Sequence, residues 1–332
     1  MNQVKMMTSN LPKVSVLMPT LNYARFLPEA IESVLNQTFH DFELIIVDNG
    51  STDETDEVVS RYLSDKRLRY FKNYEKGMAG NWNKCLEFSK GTYLKFLCAD
   101  DKFHPQLLEK FVSIMEANPH VSLVTSYREN FGRAATTTDA RTLEAWKARK
   151  HLLDGKRAIH DTLHTFNWIG EPTAVMFRRS NLKLGYFRKD LVWLCDWEMW
   201  LRHLTVGDCY LIPEVLSYIR KHPGSGTESL TKKGYANYFE DYDFYKSLAY
   251  NNGDDYAISR TEMQALLKHR ARNCAKAMLK SLGKLNQKTF REVFVKGFKI
   301  AYSERVIADT LFQVSLNSLK KKKRNRADKI AA

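Results

Sequence analysis

The segment that follows the first predicted strand, "VLMPTLNYARF", contains no glycine. Dinucleotide-binding α/β proteins carry G-x-G-x-x-G at this place, because glycine lets the backbone approach the pyrophosphate closely. A Walker A loop is also absent from the sequence. These absences argue against a dinucleotide oxidoreductase and a P-loop phosphotransferase. A nucleotide site in this chain would have to be built from side chains.

Cysteine is scarce, and its spacing suggests no pairing. The chain has five cysteines: Cys85, Cys98, Cys195, Cys209 and Cys274. An odd number without a C-x-x-C pair indicates neither a disulfide framework nor a zinc site. We therefore expect a reducing compartment, the cytoplasm.

Long apolar runs are missing as well. No stretch approaches the roughly 18 uncharged apolar residues that a membrane-spanning helix needs, and the opening "MNQVKMMTSNLPK" lacks the apolar core of a signal peptide. We expect a cytoplasmic protein that is soluble or is attached only peripherally, at the inner face of the membrane.

The charge of the chain is strongly unbalanced. The formal net charge of +14 favours a polyanionic partner, which could be nucleic acid, anionic lipid or a phosphorylated small molecule. No recognition helix or aromatic-basic platform indicates nucleic acid, so we do not expect that partner.

Predicted strands and helices alternate over residues 13–130. The strands read "KVSVLMPT", "FELIIVD", "RLRYFKN", "GTYLKFLCADD" and "VSLVTSY". This alternation predicts an α/β fold with a mainly parallel sheet flanked by helices. Ligands of such sheets bind beyond the carboxyl ends of the strands, where Pro19, Asp48 and Asp100 fall.

The rest of the chain follows two other patterns. Residues 131–226 contain a predicted helix at 154–166, a strand "TAVMFRR", a helix near 195–206 and a strand "CYLIPEVLSYIR". Residues 227–332 read as helical and end in a basic tail, and residues 1–12 form a polar N-terminal tail.

Four carboxylates at the predicted strand ends are candidate ligand-binding groups. Asp48 could accept a hydrogen bond from a nucleobase or could form an Asx-turn before Asn49. Asp53 is more typical of a helix N-cap. The adjacent Asp100 and Asp101 offer the oxygen ligands that Mg²⁺ or Mn²⁺ prefers, whereas an N-cap role would explain only one of them.

The quoted blocks resemble a known family. "VSVLMPTLNYARFLPEAIESVLNQTFHDFELIIVDNGSTDET", "FLCADD", "GEPTAVMFRRS" and "DWEMWLRHLTVGDCYLIPEVLSYIRKHPGS" are similar to the GT-A fold glycosyltransferases of family two, over about residues 13–226. These are inverting enzymes that use nucleotide-diphosphate sugars. The resemblance implies a nucleotide-sugar-binding half at 13–130 and an acceptor-binding and catalytic half at 131–226, within one GT-A domain.

The resemblance also implies roles for the residues of the first half. The loop after the first strand would line the nucleotide, Asp48 would meet the base, and the helix opening "GMAGNWN" would face the ribose or diphosphate; these nucleotide contacts are Pro19, Thr20, Asn22, Tyr23, Asp48, Gly80, Asn81 and Asp100. Cys98 replaces the first acidic residue of the usual Asp-x-Asp-Asp motif. Asp101 would contact the metal directly, together with Asp100.

In the second half, the resemblance places the catalytic base at Asp196, in "LCDWEMWLRH". A helix N-cap is the competing interpretation of Asp196, and Glu198 is the alternative base in the same block. His222 is a candidate metal or phosphate contact, or a simple loop residue. Trp168, Glu171, Pro172 and Trp193 are candidates for the acceptor floor, although tryptophans more often lie in cores.

The resemblance implies transfer of a hexosyl or N-acetylhexosaminyl group from a UDP- or dTDP-sugar to a cell-envelope glycan or a lipid-linked saccharide. A catalytically silent nucleotide- or glycan-binding subunit with the same fold is the alternative. The tail "KKKKRNR" is either a solvated end or a contact with anionic membrane lipid. The spacing of Phe290, Phe294 and Phe298 fits an amphipathic helix or core packing.

Overall fold

The computed structural model describes residues 11–75, 77–132, 140–225, 236–250, 256, 258–284 and 286–313. The chain divides into two compact units, one up to Pro223 and one from Gly224. The basic tail and the predicted N-terminal tail up to residue 10 lie outside the described residues.

The first unit is built around one sheet. Its strands are β1 (Val14–Thr20), β2 (Phe42–Asp48), β3 (Leu68–Lys72), β4 (Tyr93–Phe96), β5 (Lys102–Phe103), β6 (Val121–Phe131), β7 (Leu152–Leu153), β8 (Val175–Arg178) and β9 (Asp208–Arg220). Its helices are α1 (Leu27–Leu35), α2 (Thr55–Ser60), α3 (Met78–Phe88), α4 (Leu107–Ala117), α5 (Ala140–Lys147), α6 (Gly155–His164) and α7 (Cys195–Leu204). Short 3₁₀ helices span Pro172–Ala174 and Arg179–Leu184.

The strand order is β3-β2-β1-β4-β8-β6-β9-β5, and β7 pairs with β9. Strands β1 to β4 pair in parallel, as do β6 and β9, whereas β8 runs antiparallel between β4 and β6. The predicted α/β fold with a mostly parallel sheet and flanking helices is confirmed.

Local sequence explains the central strands and the first helix. Every residue of β1 and β2 is buried, as expected for strands that are covered on both faces. Helix α1 has proline in its first turn and buries four residues at helical spacing: Leu27, Ala30, Ile31 and Val34. These elements place the ends of β1 and β2 side by side, with Thr20 opposite Asp48.

The structure also contains elements that the sequence did not predict. The two-residue strands β5 and β7 pair with the long strand β9. They form because of this distant partner and are too short to show a periodic sequence pattern. Helix α5 falls in a polar segment for which no helix was predicted.

The second unit is helical in its described part, as predicted. It contains α8 (Ala236–Tyr250), α9 (Arg260–Ser281) and α10 (Lys288–Ser303), with a 3₁₀ turn at Leu282–Lys284. A capping box formed by Ser259 and Glu262 starts α9. Gly297 lets α9 and α10 approach, because a Cβ at this position would lie 2.8 Å from Met278 Cβ.

Helix α10 is amphipathic, but its aromatic residues do not form its buried face. The buried residues of this helix are Val293, Gly297, Ile300 and Ala301. The ring of Phe298 stacks between those of Phe294 and Tyr302 at centroid distances of 6.4 and 6.2 Å, and Phe298 and Tyr302 are exposed. Core packing therefore does not account for Phe298, whereas Phe290 and Phe294 are partly buried. No described helix is long and apolar enough to cross a membrane.

Candidate active site

The carboxylate of Asp48, at the end of β2, is fully buried and held by the loop that follows. The backbone N–H and the hydroxyl of Ser51 donate to Asp48 Oδ1 at 3.0 and 2.5 Å, and Tyr70 donates to Oδ2 at 3.2 Å. The Asx-turn interpretation thus has direct geometric support. A contact with a nucleobase would have to use the remaining lone pairs of the same carboxylate.

The loop after β1 is tied to the loop after β2. Asn22 adopts a left-handed backbone conformation with φ of 58°, which asparagine tolerates better than most residues. Its backbone N–H donates to Ser51 Oγ at 2.8 Å, and its side-chain oxygen accepts from Thr52 N at 2.8 Å. The two loops therefore form one preformed surface, next to Pro19 and Thr20 at the end of β1.

Asp53 contributes to the same surface and does not cap α2, whose N-cap is Glu54. Asp53 Oδ2 accepts from the backbone N–H of Ala24 at 2.9 Å, and Oδ1 accepts from the Thr55 hydroxyl at 2.6 Å. The structural interpretation of Asp53 is supported, but its role is to join the two loops.

The opening of α3 supports this surface from beneath. Asn81 is buried and donates to the carbonyl oxygen of Val47 at 3.0 Å, while its own side-chain oxygen accepts from Asn73 at 3.2 Å. Gly80 is buried beside it, and a Cβ there would lie 3.1 Å from the Glu75 side chain. Asn81 thus braces the ends of the strands in this conformation.

The acidic pair lies in the turn between β4 and β5. Neither residue caps α4, which begins at Leu107 after an N-cap at Gln106. Asp101 is buried, and its two oxygens accept from the Thr173 hydroxyl at 2.6 Å and from the backbone N–H of Arg220 at 2.8 Å.

Asp100 is partly exposed beside its neighbour. Its Oδ2 lies 3.0 Å from His222 Nε2, and its carbonyl oxygen accepts from Arg220 Nε at 2.7 Å. The His222 ring also packs 4.5 Å from Phe26 and 5.8 Å from Tyr23, measured between ring centroids. The structure therefore brings His222 to Asp100 and places Tyr23 against the His222 ring.

The acidic pair fits a hard divalent cation. The Cys98 sulfur and carboxylate oxygens of Asp100 and Asp101 lie within 4.8 Å of one another. Burial, reinforced by the charge of Asp100, raises the pKa of Asp101 well above its usual value. A cation bound by both carboxylates would relieve this cost. Burial also raises the pKa of the Cys98 thiol, so this residue replaces an acidic ligand with a neutral group.

Sequence reasoning missed three residues around the acidic pair: Lys95, Thr173 and Arg220. Arg220 holds both aspartates, and its guanidinium also pairs with Glu29 and lies 4.2 Å from the centre of the Phe131 ring. Thr173 bonds to Asp101, and Lys95 is buried beneath it. Of these three residues, only Lys95 could have been noticed in the sequence, because it is a charged residue inside the apolar strand "YLKF".

Asp196 lies in the first turn of α7 and is half-buried. The N-cap of this helix is Leu194, so Asp196 does not cap it, although Oδ1 accepts from the Trp197 N–H at 2.6 Å. Burial raises the pKa of Asp196 to about 7. A carboxylate with this pKa is suited to accept a proton near neutral pH.

Glu198, the alternative base, is committed to a structural contact. It is buried, and its two oxygens accept from Arg202 Nε at 2.7 Å and from the terminal nitrogen at 3.0 Å. Arg202 also donates to the carbonyl oxygens of Leu184 and Tyr186. This geometry favours Asp196 over Glu198 as the base.

The charge of Glu171 acts on both the acidic pair and Asp196. Its negative charge contributes to the raised pKa of Asp101 and to that of Asp196. Burial would raise the pKa of Glu171 itself, but the charge of Arg128, 2.6 Å away, outweighs this effect and lowers it. Gly170, with φ of 115°, makes room for Arg128, because a Cβ there would lie 2.6 Å from the guanidinium.

The candidate acceptor-floor residues differ in their exposure. Trp168 is fully buried, and the guanidinium of Arg149 lies 4.6 Å from the centre of its ring. In this conformation Trp168 has no surface to offer a sugar, so its assignment to the acceptor floor is corrected to a core role. Pro172 is buried at the start of a 3₁₀ helix, whereas Glu171 and Trp193 are partly exposed.

The sequence profile of glycosyl transferase family 2 matches residues 15–184. The chain belongs to this family. A glycosyltransferase of Haemophilus influenzae is 30% identical to it over 231 residues, which cover 67% of this chain and 69% of that protein. A glycosyltransferase of Rickettsia felis is 41% identical over 117 residues, but these make up only 19% of its length. The chain is thus a glycosyltransferase, and it spans a minor part of some of its relatives.

Solved structures agree on the fold. The TarS fragment 1–349 of S. aureus in complex with UDP-GlcNAc superimposes with a TM-score of 0.60 and 17% identity, covering 88% of this chain and 91% of that chain. The mannosyltransferase PcManGT of Pyrobaculum calidifontis, in complex with GDP-Man and Mn²⁺, gives a TM-score of 0.50 and 16% identity over 90% of this chain and 88% of that chain. At these identities the likeness establishes the GT-A fold.

Proposed function

We propose that this glycosyltransferase is metal-dependent and inverting, and that it moves a hexosyl or N-acetylhexosaminyl group from a nucleoside-diphosphate sugar, a UDP-sugar in the first instance, to a hydroxyl of a glycan or lipid-linked saccharide. The observation that carries the proposal is a set of two carboxylate sites that both lie in the field of Glu171. The Asp100–Asp101 pair suits a cation, and Asp196 suits a proton acceptor.

The donor site is assigned to residues 13–130. The joined loops after β1 and β2, with Pro19, Thr20, Asn22 and Tyr23, form a preformed surface for the nucleotide. Asp48 would receive the base, and Gly80 and Asn81 would support the ribose and diphosphate side from α3. Complexes of TarS with UDP-GlcNAc and of PcManGT with GDP-Man support a nucleotide-sugar donor for this fold.

Asp100 and Asp101 would hold Mg²⁺ or Mn²⁺, with His222 beside Asp100. When bound, such a cation offsets the negative charge that builds on the departing diphosphate. The presence of Mn²⁺ in the PcManGT complex supports this assignment.

Asp196 is assigned as the base, in the acceptor-binding half formed by residues 131–226. It takes the proton of the acceptor hydroxyl as that oxygen attacks the anomeric carbon, and the bond from this carbon to the diphosphate oxygen breaks. Glu171, Pro172 and Trp193 are the remaining candidates for holding the acceptor.

Release of nucleoside diphosphate tests the proposal against the alternative of a catalytically silent subunit. Purified protein is incubated with UDP-sugars, Mn²⁺ and a panel of glycan and lipid-linked acceptors, and free UDP is measured. We expect acceptor-dependent release that EDTA abolishes. Binding of UDP-sugars without release across the whole panel would favour the silent subunit.

We further propose peripheral contact with anionic lipid at the inner face of the membrane. Support comes from the exposed side chains of Phe298 and Tyr302 on α10, which share this helix with Arg291, Lys296 and Lys299. An aromatic and basic helix face of this kind suits the interface of an anionic bilayer.

A further inference from the structure

Lys95 is a fully buried lysine in β4, close to the acidic pair but not paired with it. Among the described residues, no carboxylate lies within ion-pair distance of its amine. A buried cationic group without a partner costs stability, and an apolar residue in a central strand would avoid that cost. The contacts of Lys95 should therefore reveal what it does.

The Lys95 amine has two kinds of contact. It donates to the carbonyl oxygens of Thr173 and Phe96, the latter at 3.3 Å. It also lies 4.6 Å from the centre of the Phe103 ring and 5.5 Å from that of Phe111. The rings stabilise the amine, but only the bond to Thr173 leads to the candidate active site.

Thr173 joins this amine to the acidic turn. Its carbonyl oxygen accepts from Lys95 and from the Ser217 hydroxyl, the latter at 3.0 Å. Its own hydroxyl donates to Asp101 Oδ2 at 2.6 Å and accepts from the Cys98 N–H at 3.1 Å. The position of this one residue therefore determines how the Asp101 carboxylate is presented.

We propose that Lys95 is a positioning residue for the cation site: by holding the Thr173 carbonyl, it fixes the hydroxyl that orients Asp101. This inference depends on the proposed metal-dependent function. Burial lowers the pKa of Lys95 well below its usual value, although the charges of Cys98 and Asp101 oppose this effect. The hydrogen bond from the Lys95 amine to the Thr173 carbonyl forms in either protonation state, because a neutral amine also donates.

The test uses Lys95→Met in the full-length protein, with calorimetry of UDP binding in Mn²⁺ and in EDTA. Methionine has a similar length but donates no hydrogen bond. We expect the affinity in Mn²⁺ to fall by up to roughly tenfold, the size of one hydrogen bond, while the affinity in EDTA stays the same. The melting temperature should stay the same or rise, because methionine carries no buried polar cost.

Two further variants separate positioning from general packing. Thr173→Val removes the hydroxyl that binds Asp101 and should show the same loss confined to Mn²⁺. The double variant should lose much less than the two single losses combined, because both changes break one chain of contacts. Tyr93→Phe is the matched control: this buried residue of the same strand, on the same face, loses only its hydroxyl contacts with Glu116 and Arg178 and should bind UDP like the wild type.

The outcomes distinguish the inference from the proposed function. If wild-type affinity is equal in Mn²⁺ and EDTA, the cation assignment fails and the inference fails with it. If the wild type depends on Mn²⁺ and Lys95→Met keeps the full dependence, the inference alone is overturned. Additive losses in the double variant would also overturn it. If Lys95→Met does not fold, the test uses Thr173→Val. UDP affinity that depends on Mn²⁺ in this variant as strongly as in the wild type would overturn the inference.

Discussion

The loops after β1 and β2 and the acidic turn after β4 lie at neighbouring strand ends, yet they are built in opposite ways. In the loops, Asp48 and Asn22 are satisfied by hydrogen bonds from Ser51 and Thr52. In the acidic region, Asp101 and Asp196 have raised pKa values because their charges are buried without enough compensation. The polar groups of the proposed nucleotide end are thus already paired, whereas those of the acidic end would be compensated by a bound cation or proton.

The difference follows from the chemistry proposed for each end. Recognition of a nucleotide needs fixed donors and acceptors, so a rigid hydrogen-bonded surface lowers the entropy lost on binding. A cation site and a proton acceptor need groups whose charge is costly until the ligand is present, because only then does binding or proton transfer relieve it. Variants at the two ends should therefore respond differently to cation, pH and acceptor.

The largest effect is expected for Asp196→Asn, because asparagine keeps the size of the side chain and cannot accept the proton. We expect kcat to fall by roughly 10² to 10⁴ while the dissociation constant of UDP stays the same. Transfer rate and UDP affinity are measured on one preparation, with Glu198→Gln as a structural control. Near-wild-type turnover in Asp196→Asn would move the search for the base to Glu171 or Glu198.

The next effect is the loss of cation dependence in Asp101→Asn. Because the substitution removes one of two paired carboxylates, the gain in UDP affinity from Mn²⁺ or Mg²⁺ should shrink at least tenfold, about 1.4 kcal/mol. Ser51→Ala, at the nucleotide end, sharpens the comparison: a loss of a few fold is expected there, equal in Mn²⁺ and in EDTA. An equal response of both variants to cation would remove the proposed distinction between the two ends.

The pH dependence of kcat/KM should show an ascending limb with a pKa of about 7, because only ionised Asp196 accepts a proton. Glu171→Gln removes a negative charge and releases the positive charge of Arg128, so the limb should move to lower pH. Since folding raises the pKa of Asp196, its stabilising contribution is complete below about pH 4 and is lost as the pH rises through 7. A limb that does not move in Glu171→Gln would show that Glu171 does not act on the base.

The last prediction concerns membrane contact. A chain that ends at Leu319 should sediment less with anionic vesicles, because each basic residue removed weakens the free energy of vesicle binding by about 1 kcal/mol. The difference should be smaller at high salt. Phe298→Ser with Tyr302→Ser on α10 should weaken binding further, and neutral vesicles serve as the control. Unchanged sedimentation of both variants would mean that the tail and the helix face are merely solvated.

The sequence alone determined the family, the alternating strands and helices, and the carboxylates at the strand ends, because these depend on local patterns and specific motifs. It also marked Asp196 in the first turn of its helix. The prediction that Trp168 faces the acceptor was wrong, since burial depends on the surrounding strands and helices.

Only the tertiary structure decided which side chains meet. Lys95 and Asp101 are joined through Thr173, which is 78 residues beyond Lys95 in the chain, and Arg220 reaches Asp100 across 120 residues. Such contacts arise where β4, β8 and β9 come together in one sheet, and no local pattern encodes them. The pKa of about 7 at Asp196 has the same origin, because desolvation and the field of Glu171 exist only once the chain is folded.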